Sequence, residues 1–108
     1  DVRHQFNCFN LLEKVSFIEG DIRQTLLNPS NLPSKISILR LDTDFHDSTA
    51  SSMLNLFPLL EKNGILLIDD YGCWEGVRKA IDDYFEKYLP YKPMLWMTDY
   101  SERVFIKQ

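Results

Sequence analysis

Apolar residues fall along this chain in blocks whose spacing switches between a helical and a strand-like period. Val2, Phe6, Phe9, Leu11 and Leu12 lie near one helical stripe over residues 2–14. Val15-Ser16-Phe17-Ile18 then reads as a short strand, closed by Gly20-Asp21, and a weak helical turn is expected over 22–27. Residues 28–34, Asn-Pro-Ser-Asn-Leu-Pro-Ser, form a loop, because prolines among small polar residues continue neither a helix nor a ladder. Residues 36–41 are a second strand, apolar enough for cover on both faces.

Asp47, Ser48 and Thr49 offer capping oxygens to a helix carrying Ala50, Met53, Leu54 and Phe57. Pro58 bends or shortens that helix, and Asn63-Gly64 is expected to end it. Residues 65–68 are the third strand and the most apolar run. Between Trp74 and Leu89 the residues Val77, Ile81, Tyr84, Phe85 and Tyr88 share a helical stripe, and Pro90 and Pro93 stop it. Residues 94–98 and 104–107 read as strands joined by Asp99-Tyr100-Ser101-Glu102, a turn short enough for an antiparallel hairpin. This alternation predicts an α/β domain: a Rossmann-like, open, mostly parallel sheet with helices on both faces and a C-terminal antiparallel hairpin.

Composition narrows the picture. The 108 residues suit one domain, and 44% hydrophobic residues are ample for its core, so disorder is not expected. With a net charge of -4 and no basic run longer than Arg78-Lys79, nucleic-acid binding is not expected. Cys8 and Cys73 sit in no metal-binding or CxxC spacing, which suggests reduced thiols of an intracellular protein. No apolar run approaches the ~20 residues of a membrane span. The opening Asp1-Val2-Arg3-His4 lacks the apolar core of a signal peptide. A cytoplasmic location is the expectation.

The chemistry lies at two strand ends. Residues 36–41 run into Asp42-Thr43-Asp44, and residues 65–68 run into Asp69-Asp70. In open α/β sheets ligands bind outside the carboxyl ends of parallel strands. If these two strands are parallel neighbours, four carboxylates crowd one edge, which is costly unless a cation neutralises them or a pKa rises. Carboxylate oxygens suit Mg²⁺, Ca²⁺ or Mn²⁺. Helix capping accounts for one such acid, Asp44 or Asp47, more readily than for all four.

Residues 40–49, RLDTDFHDST, followed by Gly64-Ile65-Leu66-Leu67-Ile68-Asp69-Asp70-Tyr71-Gly72, resemble the macrocin O-methyltransferase (TylF-type) family. Trp74, Gly76, Arg78, Lys79 and Ala80 fit the family's next helix, and the resemblance spans roughly residues 15–107. It implies an enzyme dependent on S-adenosylmethionine and Mg²⁺ or another hard divalent cation, methylating a hydroxyl of a sugar or related secondary metabolite. Carried over by position, Asp42, Asp69 and Asp70 match the metal ligands and Asp44 the general base. Tyr is usual in the family where this chain has His46, whose plainer role is that of an exposed residue at a helix start.

The chain has four glycines and no GxGxxG-like turn, so the glycine-rich donor-binding segment of such enzymes has no counterpart in it. Residues 15–18 match the third strand of the fold, which makes Asp21 the donor-binding candidate, with a turn cap as its alternative. The resemblance therefore implies the C-terminal portion of a methyltransferase domain, expected to be inactive alone. Two other readings remain: a haloacid-dehalogenase-type phosphatase, which also uses Asp-x-Asp after a strand, and an inactive metal-binding α/β module. Without the first two strands of the methyltransferase fold, which lie between its third and fourth, residues 36–41 are expected to be an exposed sheet edge, closed by residues 15–18 or by a second copy in a homodimer.

Overall fold

A computed structural model describes residues 2–108. Among them lie helices α1 (Val2–Cys8), α2 (Ile22–Thr25), α3 (His46–Leu56) and α4 (Glu75–Tyr88). The strands are β1 (Ile36–Leu41), β2 (Leu60–Ile68), β3 (Trp96–Met97) and β4 (Arg103–Ile106), in the sheet order β1-β2-β4-β3. β1 and β2 are parallel, with Leu39 opposite Leu66 and Leu41 opposite Ile68. β4 runs antiparallel to β2 and to β3, so the terminal hairpin forms as the sequence indicates. Among the described residues, parallel pairing is confined to β1 and β2.

Strand alternation puts Leu39, Leu41, Leu66, Ile68 and Phe105 on one buried face. Against it pack Met53 of α3, Phe57 just beyond that helix, and Val77, Ile81 and Phe85 of α4. The Phe85 ring stands 5.7 Å from that of Phe57 and 4.9 Å from that of Phe105. Each such side chain contributes roughly 1.5–3 kcal/mol on burial, which makes this layer the main stabilising element.

α3 and α4 lie side by side against this face. On the opposite face Ile38 is 63% exposed and Ile106 48%, while Ile65, Leu67 and Val104 are half-buried. Cover on both faces is thus not seen among the described residues.

Three expectations are corrected. Residues 15–18 form no strand: Val15 and Phe17 are half-buried and alternate with exposed Ser16 and Ile18, yet among the described residues the segment joins no ladder and β1 is an edge strand. The helix expected over 2–14 stops at Cys8, because Asn10 takes a left-handed conformation (φ 58°). Phe6 packs on Phe17 at 5.9 Å, and no residue of α1 is buried.

The third correction concerns the end of α3. Pro58 follows Phe57 in a tight turn, and the helix is over at Leu56, so Asn63-Gly64 does not terminate it. β2 has already begun at Leu60. Leu60 pairs with Ile36 and Ile65 with Ile38, so the residues between them bulge, with Asn63 at φ 67°. No helix among the described residues is long and apolar enough to cross a membrane.

Candidate acid centre at the strand ends

The register of β1 on β2 brings the acids together. Leu41 lies opposite Ile68, and the Asp69 amide donates to the Leu41 carbonyl at 2.9 Å, so both strands leave the sheet at one edge. Asp44 and Asp70 then adopt left-handed backbone conformations, each with φ 56°. Asp tolerates that region better than most residues.

The consequence is a convergence of carboxylate oxygens from Asp42, Asp44 and Asp70, all within 4.8 Å of one another. Oxygens on a single hard cation, bonded at ~2.0–2.6 Å, lie at most about 5 Å apart, so this set fits one ion. Asp69 falls outside that triplet. Its carboxyl hydrogen-bonds Asp42 and stands 3.7 Å from Arg40 Nη2.

The proton distribution reflects the crowding. Asp69 is pushed up, first by its hydrogen bond to Asp42 and then by burial. Asp42 is held down by the same bond and by Arg40, whose Nη1 donates to it at 3.0 Å. Asp70 is pushed up to about 6, chiefly by its hydrogen bond to Asp44, then by burial and the neighbouring negative charges. Without a cation, retained protons relieve part of the repulsion.

Both acidic turns are braced. Ser48 Oγ donates to the Thr43 carbonyl at 2.9 Å, and the Thr43 and buried Thr49 hydroxyls meet at 3.0 Å. The other turn leans on the hairpin. The Asp70 amide donates to Ser101 Oγ at 3.1 Å and the Gly72 amide to the Ser101 carbonyl at 2.8 Å. A Cβ at Gly72 would sit 1.9 Å from the Tyr100 carbonyl oxygen, so this approach requires glycine. Arg103, 9% exposed, donates through Nη1 to the carbonyls of Asp99, Tyr100 and Glu102. Sequence reading took residues 99–102 for a polar turn and missed Ser101. The acid–x–Ser pattern signals a local turn, but its meeting with Asp70 depends on Arg103 lying opposite Ile68.

The remaining candidates are partly engaged. Asp21 caps α2 by accepting from the Arg23 amide at 2.9 Å, and its other oxygen takes Arg23 Nη2 at 2.7 Å. Those bonds lower its pKa to about 2. It also lines, with Thr43, Phe45, His46 and Ser48, a cleft of about 670 Å³ beside the acid centre. His46 Nδ1 lies 2.9 Å from Asp47 Oδ1 at the start of α3. Cys8 and Cys73 are both free and exposed.

An open α/β sheet with this hairpin and strand-end acids has the architecture of Rossmann-like methyltransferases. The model of the macrocin O-methyltransferase (TylF) family matches residues 1–104, and the chain belongs to that family. It is 33% identical over 89 residues to demethyldecarbamoylnovobiocin O-methyltransferase of Streptomyces niveus, covering 82% of this chain and 33% of that protein. It is 35% identical over 88 residues to the 8-demethyl-8-(2,3-dimethoxy-alpha-L-rhamnosyl)-tetracenomycin-C 4'-O-methyltransferase of Streptomyces olivaceus, covering 81% and 33%. The chain thus spans about a third of the length of these curated relatives. The solved structure of the O-methyltransferase NovP superposes with a TM-score of 0.89 at 29% identity, covering 98% of this chain and 43% of that one. The methyltransferase CalS11, at 19% identity and a TM-score of 0.66, shares the fold. None of these relatives points to a phosphatase.

Proposed function

We propose that this chain carries the acid centre of an S-adenosylmethionine- and divalent-metal-dependent O-methyltransferase acting on a hydroxyl of a sugar or related secondary metabolite. The observation that carries the reading is the convergence of Asp42, Asp44 and Asp70 at the ends of two parallel strands, in a chain of this family. One relative is named for methylating a rhamnosyl-bearing tetracenomycin, which supports a sugar-like acceptor.

Bound in this centre, a hard divalent cation supplies the positive charge that makes a neighbouring hydroxyl more acidic, and the donor supplies the methyl group. An unassisted hydroxyl holds its proton near a pKa of ~15, as water does, so a carboxylate alone is a weak base toward it. Asp42, Asp69 and Asp70 would hold the cation. Asp44, with a carboxylate oxygen within 4.8 Å of those of Asp42 and Asp70, would accept the hydroxyl proton. The cleft beside Asp21 has a volume within the ~300–1,000 Å³ usual for small-molecule sites and would take the donor's adenosyl end.

One observation favours a second reading, in which Asp44 is itself a ligand: it belongs to the converging triplet and Asp69 does not. Calorimetric titration with Mg²⁺ and Mn²⁺ tests both. On the proposed assignment, Asp69→Asn weakens binding and Asp44→Asn leaves it nearly intact. Equal loss in the two variants makes Asp44 a ligand, and no saturable binding by the wild type refutes the metal reading. A parallel titration with S-adenosylmethionine that gives neither heat nor a fluorescence change leaves a metal-binding module without donor affinity.

A further inference from the structure

We infer that Ser101 is a positioning residue for the acid centre, holding Asp70 in the conformation that aims its carboxylate at Asp42 and Asp44. This rests on the metal reading above, but its geometric basis is separate. Asp70 occupies a left-handed backbone conformation, with φ 56°. Its peptide carbonyl accepts from the amides of Cys73 and Trp74, which closes the following turn, and its own N–H finds its partner outside that segment.

Ser101 is that partner. Its Oγ accepts the Asp70 amide proton at 3.1 Å and stands 3.5 Å from Asp70 Oδ1, thirty-one residues away in sequence. Its carbonyl takes the Gly72 amide at 2.8 Å. One residue therefore grips the acidic turn at three points, through two hydrogen bonds and one longer polar contact.

Ser101 is itself held rigidly. Asp99 Oδ1 accepts the amides of Ser101 at 2.8 Å and Glu102 at 2.7 Å, which closes the turn from within. Arg103 then binds three carbonyls of the same turn from the buried side, and its guanidinium lies 5.3 Å from the Tyr71 ring centroid. Tyr71 follows Asp70, so the staple reaches the acidic turn from two directions. Partners behind a metal ligand set its orientation, and their loss typically weakens metal binding ~10–100-fold.

The test is Mn²⁺ and Mg²⁺ titration of the chain with Ser101→Ala, Ser101→Thr and Thr98→Ala, together with hydrogen exchange of the Asp70 amide in the absence of metal. Thr98 lies in the same hairpin, but among the described residues its hydroxyl bonds to Glu102 alone. Ser101→Ala is expected to weaken cation binding by about tenfold or more and to speed Asp70 amide exchange. Ser101→Thr restores affinity to within about threefold of wild type, and Thr98→Ala leaves it unchanged. Wild-type affinity in Ser101→Ala, or equal losses in Ser101→Thr or Thr98→Ala, would overturn the assignment by showing that the hydroxyl is idle or that any loosening of the turn suffices. Absence of cation binding by the wild type sinks the metal reading, and with it the purpose assigned to Ser101. Unchanged Asp70 exchange in Ser101→Ala sinks the contact itself.

Discussion

Replacing Gly72 by Ala is the most direct way to separate the acidic turn from the hairpin that braces it. The new Cβ would lie 1.9 Å from the Tyr100 carbonyl oxygen and 3.3 Å from Ser101 Cα, both backbone atoms that cannot rotate away. Restoring an ordinary contact of 3.4 Å requires the two segments to part by about 1.5 Å at that point. Overpacking of this kind costs ~1–3 kcal/mol, and losing the bond from the Gly72 amide to the Ser101 carbonyl costs about 1 kcal/mol more. The sum, about 2–4 kcal/mol, is a large share of the ~5–15 kcal/mol that stabilises a domain. For a chain of this size each kcal/mol shifts Tm by roughly 4–8 °C, so a fall of about 8–32 °C is expected in calorimetric or circular-dichroism melts. Gly76→Ala is the matched control. Its Cβ would meet the His46 amide nitrogen at 3.2 Å, a contact that a small shift relieves, and alanine gains up to about 1 kcal/mol of helix propensity in α4. Its Tm should stay within a few degrees of wild type. A Gly72→Ala melt within about 3 °C of wild type, or equal losses in the two variants, would refute the steric argument.

The pH dependence of the metal-free protein follows from Asp70, whose carboxyl is pushed from 3.8 up to about 6. Its contribution to stability is complete below the unfolded value of 3.8 and is lost as pH rises through about 6, because ionisation then favours the unfolded chain. Asp70→Asn, which cannot ionise, should therefore gain Tm over wild type more at about pH 7.5 than at about pH 4, and a pH-independent difference would contradict this. In a full enzyme context, Asp44→Asn should lower turnover by ~10²–10⁴-fold while Mg²⁺ affinity holds; intact turnover would remove Asp44 as base. The open β1 edge, with Ile38 63% exposed, is expected to recruit a second copy, so sedimentation should show a concentration-dependent dimer that Ile38→Lys suppresses. A wild type that stays monomeric at high micromolar concentration would refute it.

What was legible in the sequence was whatever local pattern decides. Two apolar runs ending in acids sufficed to place Asp42 and Asp69 at one sheet edge, whereas the stop of α3 ahead of Pro58 was expected only later, at Asn63-Gly64. Residues 15–18 were misread because alternation specifies an extended chain, whereas a strand also needs a neighbour with free backbone groups. Side-chain direction beyond the strand ends was equally hidden. Strand alternation puts Leu41 and Ile68 in the core, so Asp42 and Asp69 emerge on the side of Arg40, where they bond each other and that guanidinium. Continued alternation would turn Asp70 away from Asp42. Alternation already places Asp44 on the side of Asp42, whereas Asp70 reaches that side from a left-handed backbone conformation, and the converging set is Asp42, Asp44 and Asp70. A left-handed aspartate leaves little mark in sequence, and the contact that holds one of them comes from Ser101 on the far hairpin. Asp69 and Asp44 therefore differ in what they require of the protein. Asp69 needs only the ladder, whereas Asp44 and Asp70 need turns that the rest of the fold must hold open, and a substitution that relaxes either turn should scatter the acids without unfolding the sheet.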